Sequence, residues 1–175
     1  MKTIALGLGI LLLSAGLHAE NVSTTTTQTA GTQFIVVACQ SIHFAVTRTI
    51  STETRTWLQV SVKACPVGGS EPTVLTVNRN QLIPDGDFQF TSRGGVLRTT
   101  IAEGLIDLQI SHTKDQHNTY SATWTWDVSG TTKRRETERN DTVSAVLTGT
   151  LLGTTLTGQS AYLSEGVNEQ RDLGK

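Results

Sequence analysis

His112, Asp115 and His117 fall within one short segment, and two imidazoles with a carboxylate can hold a transition metal when they converge. The segment reads as a loop between two strands, which imposes no fixed spacing, and no third or fourth ligand stands beside it. Solvated surface residues are therefore the favoured reading, with these three kept as weak metal candidates. Asp85 and Asp87 flank Gly86 in the manner of a calcium-loop fragment. Ca²⁺ takes roughly six to eight oxygens, and an ordinary turn accounts better for two carboxylates around a glycine. The chain carries no nucleophile elbow, glycine-rich phosphate loop, HExxH helix or recognisable acid/base carboxylate pair. No catalytic residue and no cofactor is assigned.

Cys39 and Cys65 are the two cysteines, and their surroundings specify a register. Ile42, Phe44, Val46 and Ile50 alternate with polar or small residues, and Leu58, Val60, Val62 and Ala64 alternate again after Ser51-Thr52-Glu53. If those three polar residues turn an antiparallel hairpin, opposed residues have numbers that sum to 104. Ile42 then faces Val62, Phe44 faces Val60, Val46 faces Leu58, and Cys39 faces Cys65. Opposed Cα atoms lie about 4.5–5.5 Å apart, within disulfide reach. A disulfide closing that loop contributes about 3.5 kcal/mol in the chain-entropy model. A metal or redox pair is disfavoured by the absence of CxxC spacing and of neighbouring ligands.

Aromatic residues supply the other candidates. In this register Trp57 lies on the face away from Leu58, Val60 and Val62, in line with Gln59, Ser61 and Lys63, where an exposed indole suits partner contact. Coverage of both hairpin faces is the competing account. Tyr120, Ala122, Trp124, Trp126 and Val128 share one face of the cleanest alternation in the chain, opposite Ser121, Thr123, Thr125 and Asp127. That row is expected in the core, with a sugar-stacking platform as the alternative. The stretch Lys133 to Asp141 contains no apolar residue. Arg135 and Arg139 fall on one face there and Glu136 and Glu138 on the other. The pattern is expected to be local ion pairing or a sheet edge protected by charge, with Arg135 and Arg139 as candidate partner contacts.

Strands must position these residues. Thr is the commonest residue type, and its branched Cβ favours strands over helix interiors. Turn chemistry recurs at Pro84-Asp85-Gly86-Asp87, Ser92-Arg93-Gly94-Gly95, Glu103-Gly104, Ser129-Gly130 and Gly153. Ile106, Leu108 and Ile110 are expected inward, as are Val143, Ala145, Leu147 and Leu151. The fold class is all-β: an antiparallel β-sandwich of about ten short strands, with a closed antiparallel β-barrel as the alternative. Residues 20–32 read as a flexible Thr-rich leader, with an extended first edge as the alternative, 33–164 as one sandwich domain and 165–175 as a polar C-terminal tail.

Lys2, the apolar run Ile4 to Leu13 and the small-residue exit through Ala19 have the layout of a secretory signal peptide over residues 1–19. The apolar run is too short for a membrane span. Cleavage near Ala19 implies a secreted or periplasmic protein, the setting in which the cysteines would pair. Asn21 and Asn140 each begin a glycosylation tripeptide, and neither reveals whether it is used. The net charge of −1 gives no electrostatic reason to expect a nucleic acid or an anionic membrane surface. The sequence therefore points to an exported binding or structural module with a protein or glycan partner. A metal-dependent hydrolase at His112, Asp115 and His117 is the alternative. Oligomeric state and ligand are left open.

Overall fold

The computed structural model describes residues 21–33, 35–37, 40–64, 74–91, 93–126 and 133–173, with backbone alone at 64, 74–76, 115–118 and 125–126. Among them the chain forms ten strands: β1 (Asn21–Gly31), β2 (Ile35–Val37), β3 (Gln40–Ile50), β4 (Thr54–Ala64), β5 (Val74–Ile83), β6 (Phe88–Thr91), β7 (Gly94–Ile101), β8 (Gly104–Trp126), β9 (Lys133–Leu151) and β10 (Thr154–Asp172). Every ladder is antiparallel, and all belong to one sheet of order β5-β4-β3-β1-β10-β9-β8-β7-β6, with β2 also paired to β3. The all-β expectation is met. The registers hold as well: β3 and β4 pair from Gln40–Ala64 to Ile50–Thr54, every pair summing to 104.

The shape of the sheet follows from one short connection. β5 and β6 stand at opposite edges, yet only Pro84 and the 3-10 turn Asp85–Asp87 join them. Nine strands side by side span about 40 Å, whereas the step from Ile83 to Phe88 reaches at most about 17 Å. The sheet must therefore curl until its edges approach, in the direction its right-handed strand twist allows. Ile42, Phe44 and Val46 of β3 and Leu58 and Val60 of β4 are thereby buried in one cluster with Phe88, Leu97, Ile106, Leu108, Leu147 and Leu163 of the other wing. Each such side chain contributes about 1.5–3 kcal/mol. The sandwich is thus a single sheet folded over its own core. The barrel alternative is not realised, because no β5–β6 ladder closes the seam among the described residues.

Polar side chains fasten the seam. Arg48 of β3 reaches across to donate hydrogen bonds to the carbonyls of Asp85 and Phe88, with its guanidinium 5.4 Å from the Phe88 ring centre. Thr56, fully buried on β4, donates to the Asp85 carboxylate at 2.8 Å. Thr32 continues the β1–β3 ladder where β1 ends: its N–H donates to the Phe44 carbonyl at 2.8 Å, and its hydroxyl accepts the Phe44 N–H at 3.2 Å. The β9–β10 turn has Leu152 at φ 50° and Gly153 at φ 83°, the double positive φ of a type I′ hairpin, with Gly at the expected position.

Several expectations are corrected. The segment 20–32 read as a leader contains β1, which is held between β3 and β10 rather than loose. The tail read from 165 onward is the far half of β10, paired to Asp172. The strands are not uniformly short, since β8 has 23 residues and β9 and β10 have 19 each. The two-residue turn after β7 is Ala102-Glu103, one residue earlier than the Gly104 signal indicates, and Gly104 opens β8 with φ 139°. Thr-rich and charged stretches lack apolar residues, and composition alone cannot separate a solvated loop from a strand with two wet faces. The signal-peptide residues 1–19, Cys39 and Cys65 lie outside the described residues.

Candidate functional site

The three longest strands outrun the core. β7 covers β8 only over Gly104–Ser111, and β3 covers β1 only over Thr26–Gly31. Beyond those limits β8, β9, β10 and the start of β1 continue as an extension, four-stranded over residues 21–25 of β1 and their partners, about 17 Å. None of its described residues is buried. Backbone ladders hold it together: Trp126 pairs with Lys133, Trp124 with Arg135 and Tyr120 with Arg139, while Arg135 and Arg139 pair in turn with Arg171 and Val167 of β10.

Alternation gives the two faces different chemistry. The inner face continues the core side of the sheet, since Ala145 and Leu147 of β9 and Ala161 and Leu163 of β10 are buried at the same parity. Out on the extension that face presents Tyr120, Ala122 and Trp124 of β8, Lys133, Arg135, Thr137 and Arg139 of β9, and Val167, Glu169 and Arg171 of β10. Tyr120 is 66% exposed and Trp124 is 51% exposed. The Lys133 ammonium lies 4.3 Å and the Arg135 guanidinium 5.3 Å from the Trp124 ring centre. Arg139 pairs with Asp141 at 2.6 Å and Arg171 with Glu169 at 2.9 Å.

The outer face is acidic and rich in hydroxyls and amides. Arg134 bonds Asp172 at 2.9 Å, which raises the guanidinium above its ordinary pKa through that hydrogen bond and the carboxylate charge. Asn140 donates to Glu138 and Asn168 to Glu136, both at 2.8 Å.

The candidate residues sort accordingly. Arg135 and Arg139 share the inner face, as alternation predicts, but their strand is central rather than an edge, paired on both sides by β8 and β10. Charge is tolerated there because none of the described side chains of this segment is fully buried, which keeps the desolvation cost small. Tyr120 and Trp124 are not core, which corrects the expected assignment of that row. The overlooked signal is the hairpin itself. The Ser129-Gly130 turn signal in the sequence already implies that Trp124 stands beside Arg135, the pair observed, and a row of cations cannot face a dry interior.

Trp57 lies on the outer side of the other wing, 43% exposed, between Thr47 and the 53% exposed Leu82. It forms a small apolar spot far along the sheet from the extension. The segment around His112, Asp115 and His117, expected as a loop, is continuous β8 with two register shifts, between His112 and Lys114 and between Asp115 and His117. Loop-like polarity there reflects an exposed strand interrupted by bulges. His112 is partly buried opposite Ala145, while Asp115 and His117 register against Val143 and Thr142, neighbours that alternate between the faces. Among the described residues no three His, Cys, Asp or Glu are grouped to hold a metal. No described helix is long and apolar enough to cross a membrane.

No protein-family model matches the chain, and no curated protein does. A solved structure described as a putative AttH from Nitrosomonas europaea is similar over 87% of this chain at 8% identity and a TM-score of 0.27. The chain spans about half of that one, 52% of its length. A likeness of that size carries no functional argument.

Proposed function

We propose that the protein is an exported binding module that contacts a glycan or protein partner along the inner face of the β8–β10 extension. The observation that carries this reading is the exposure of Tyr120 and Trp124 on a sheet face that none of the described residues covers. Large exposed aromatics are enriched where proteins meet partners, and a flat aromatic row suits sugar rings or an extended chain. Export rests on the signal-like residues 1–19. In an exported chain Cys39 and Cys65 form a disulfide, a reading supported by the β3–β4 register, whose last described pair, Gln40–Ala64, adjoins those two positions.

Arrays of glycans and secreted proteins test the module with the mature chain, Trp124→Ala, Tyr120→Ala and Trp57→Ala. Loss of the retained ligand in the first two variants, with thermal unfolding unchanged, is expected, and Trp57→Ala should bind as the parent does. Undiminished binding by Trp124→Ala/Tyr120→Ala at native stability would remove the extension as the contact surface.

A further inference from the structure

We propose that the ligand of the extension is an acidic polysaccharide, its carboxylate or sulfate groups meeting Arg135 and Lys133 and its ring faces meeting Trp124 and Tyr120. This rests on the binding-module reading and names the class of ligand for the same surface. Charge segregation between the faces is the first support. Over positions 133–139 and 167–173 the inner face holds four cations (Lys133, Arg135, Arg139, Arg171) against one carboxylate, Glu169. Over the same positions the outer face holds one cation, Arg134, against Glu136, Glu138 and Asp172. Asp141 and Glu165 occupy the next inner row towards the core and bound the cationic field there.

Arg135 is the second support. Arg134, Arg139 and Arg171 each hold a carboxylate, whereas Arg135 has no such partner among the described residues, and its buried Nε makes no hydrogen bond. Its guanidinium is held instead against Trp124. An aromatic face orders a cation without neutralising it, so the charge remains available to an anion, with two-pronged geometry suited to carboxylate or sulfate.

Repetition is the third. Tyr120–Arg139 and Trp124–Arg135 are two cross-strand aromatic–arginine pairs on one face. Four residues along a strand separate them by about 13 Å. An aromatic-plus-guanidinium pattern repeated along the strands, with Arg139 shared with Asp141 and Arg135 not, suits a linear polymer of acidic sugars better than a single small anion.

The test uses the mature chain with heparin, polygalacturonate and neutral dextran, followed by calorimetry. Both acidic polymers are expected to bind and dextran to fail, with affinity falling as NaCl rises from about 50 to 300 mM. Arg135→Gln should weaken binding about tenfold at unchanged melting temperature, the size of one lost charge-assisted contact. Arg135→Lys should restore part of it, and Arg134→Gln on the outer face should bind as the parent does. Dextran bound as tightly as the acidic polymers, with Trp124 required, would overturn the acidic ligand and leave the binding module standing. Preference for RNA or for phosphatidylserine vesicles over both acidic polymers would overturn the proposal, as would no binding to either polymer.

Discussion

Arg48 shows how one residue can decide the closure of this fold. Its guanidinium joins the β3 wing to the turn that brings the opposite edge of the sheet back, donating to two carbonyls and covering the Phe88 ring. Replacing it by Met keeps the stem but strips those carbonyls of a charged donor. Arg48→Met is expected to cost about 2 kcal/mol, or about 4–8 °C in melting temperature for a chain of this size. Thermal unfolding followed by circular dichroism reads this directly, and an unchanged midpoint would mean the carbonyls find another donor. The sequence holds no local sign of this role, since Arg48 lies in a strand with no acidic neighbour and its partners come about forty residues later. Thr32 and Thr56 are alike in this respect: strand propensity explains their presence, but the hydrogen bonds that justify their burial come from β3 for Thr32 and from the Asp85–Asp87 turn for Thr56.

At the scale of elements, the hairpins were legible because turn residues and period-two alternation act over a few residues. The β3–β4 register follows from matching Ile42, Phe44 and Val46 to Val62, Val60 and Leu58, and all three pairs are observed. Were that register to continue by one residue, Cys39 would face Cys65, which is the pairing proposed above. The non-reduced mature chain is therefore expected to yield a Cys39–Cys65 peptide two hydrogens lighter than its reduced form by mass spectrometry. Two free thiols in the exported protein would defeat the pairing. Elements with two wet faces were misread. β1, the far half of β10 and the charged part of β9 have no apolar stripe, and without one a strand resembles a tail or a loop. Their pairing is nonetheless extensive, because backbone hydrogen bonds between strands do not require an apolar face.

For the whole molecule, the contrast between a curled, apolar-cored body and an uncovered extension sets an expectation about motion. Backbone pairs in the extension lack the buried contacts that protect Ala145–Leu151, so they should open more readily. Hydrogen–deuterium exchange is expected to run at least tenfold faster over 133–141 and 166–172 than over 145–151, and to slow when the partner binds. Uniform protection along β9 would show that the extension is as firmly held as the body. The sequence by itself determined the all-β class, the main hairpins and which residues share a face, since these follow from side-chain alternation and turn chemistry between near neighbours. Only the tertiary structure decided which faces are covered. Alternation places Tyr120 and Trp124 on one side of a strand but carries no information on how far the opposite wing reaches. That reach is set by the curl of the sheet and the four-residue β5–β6 link, and it stops short of the aromatic row.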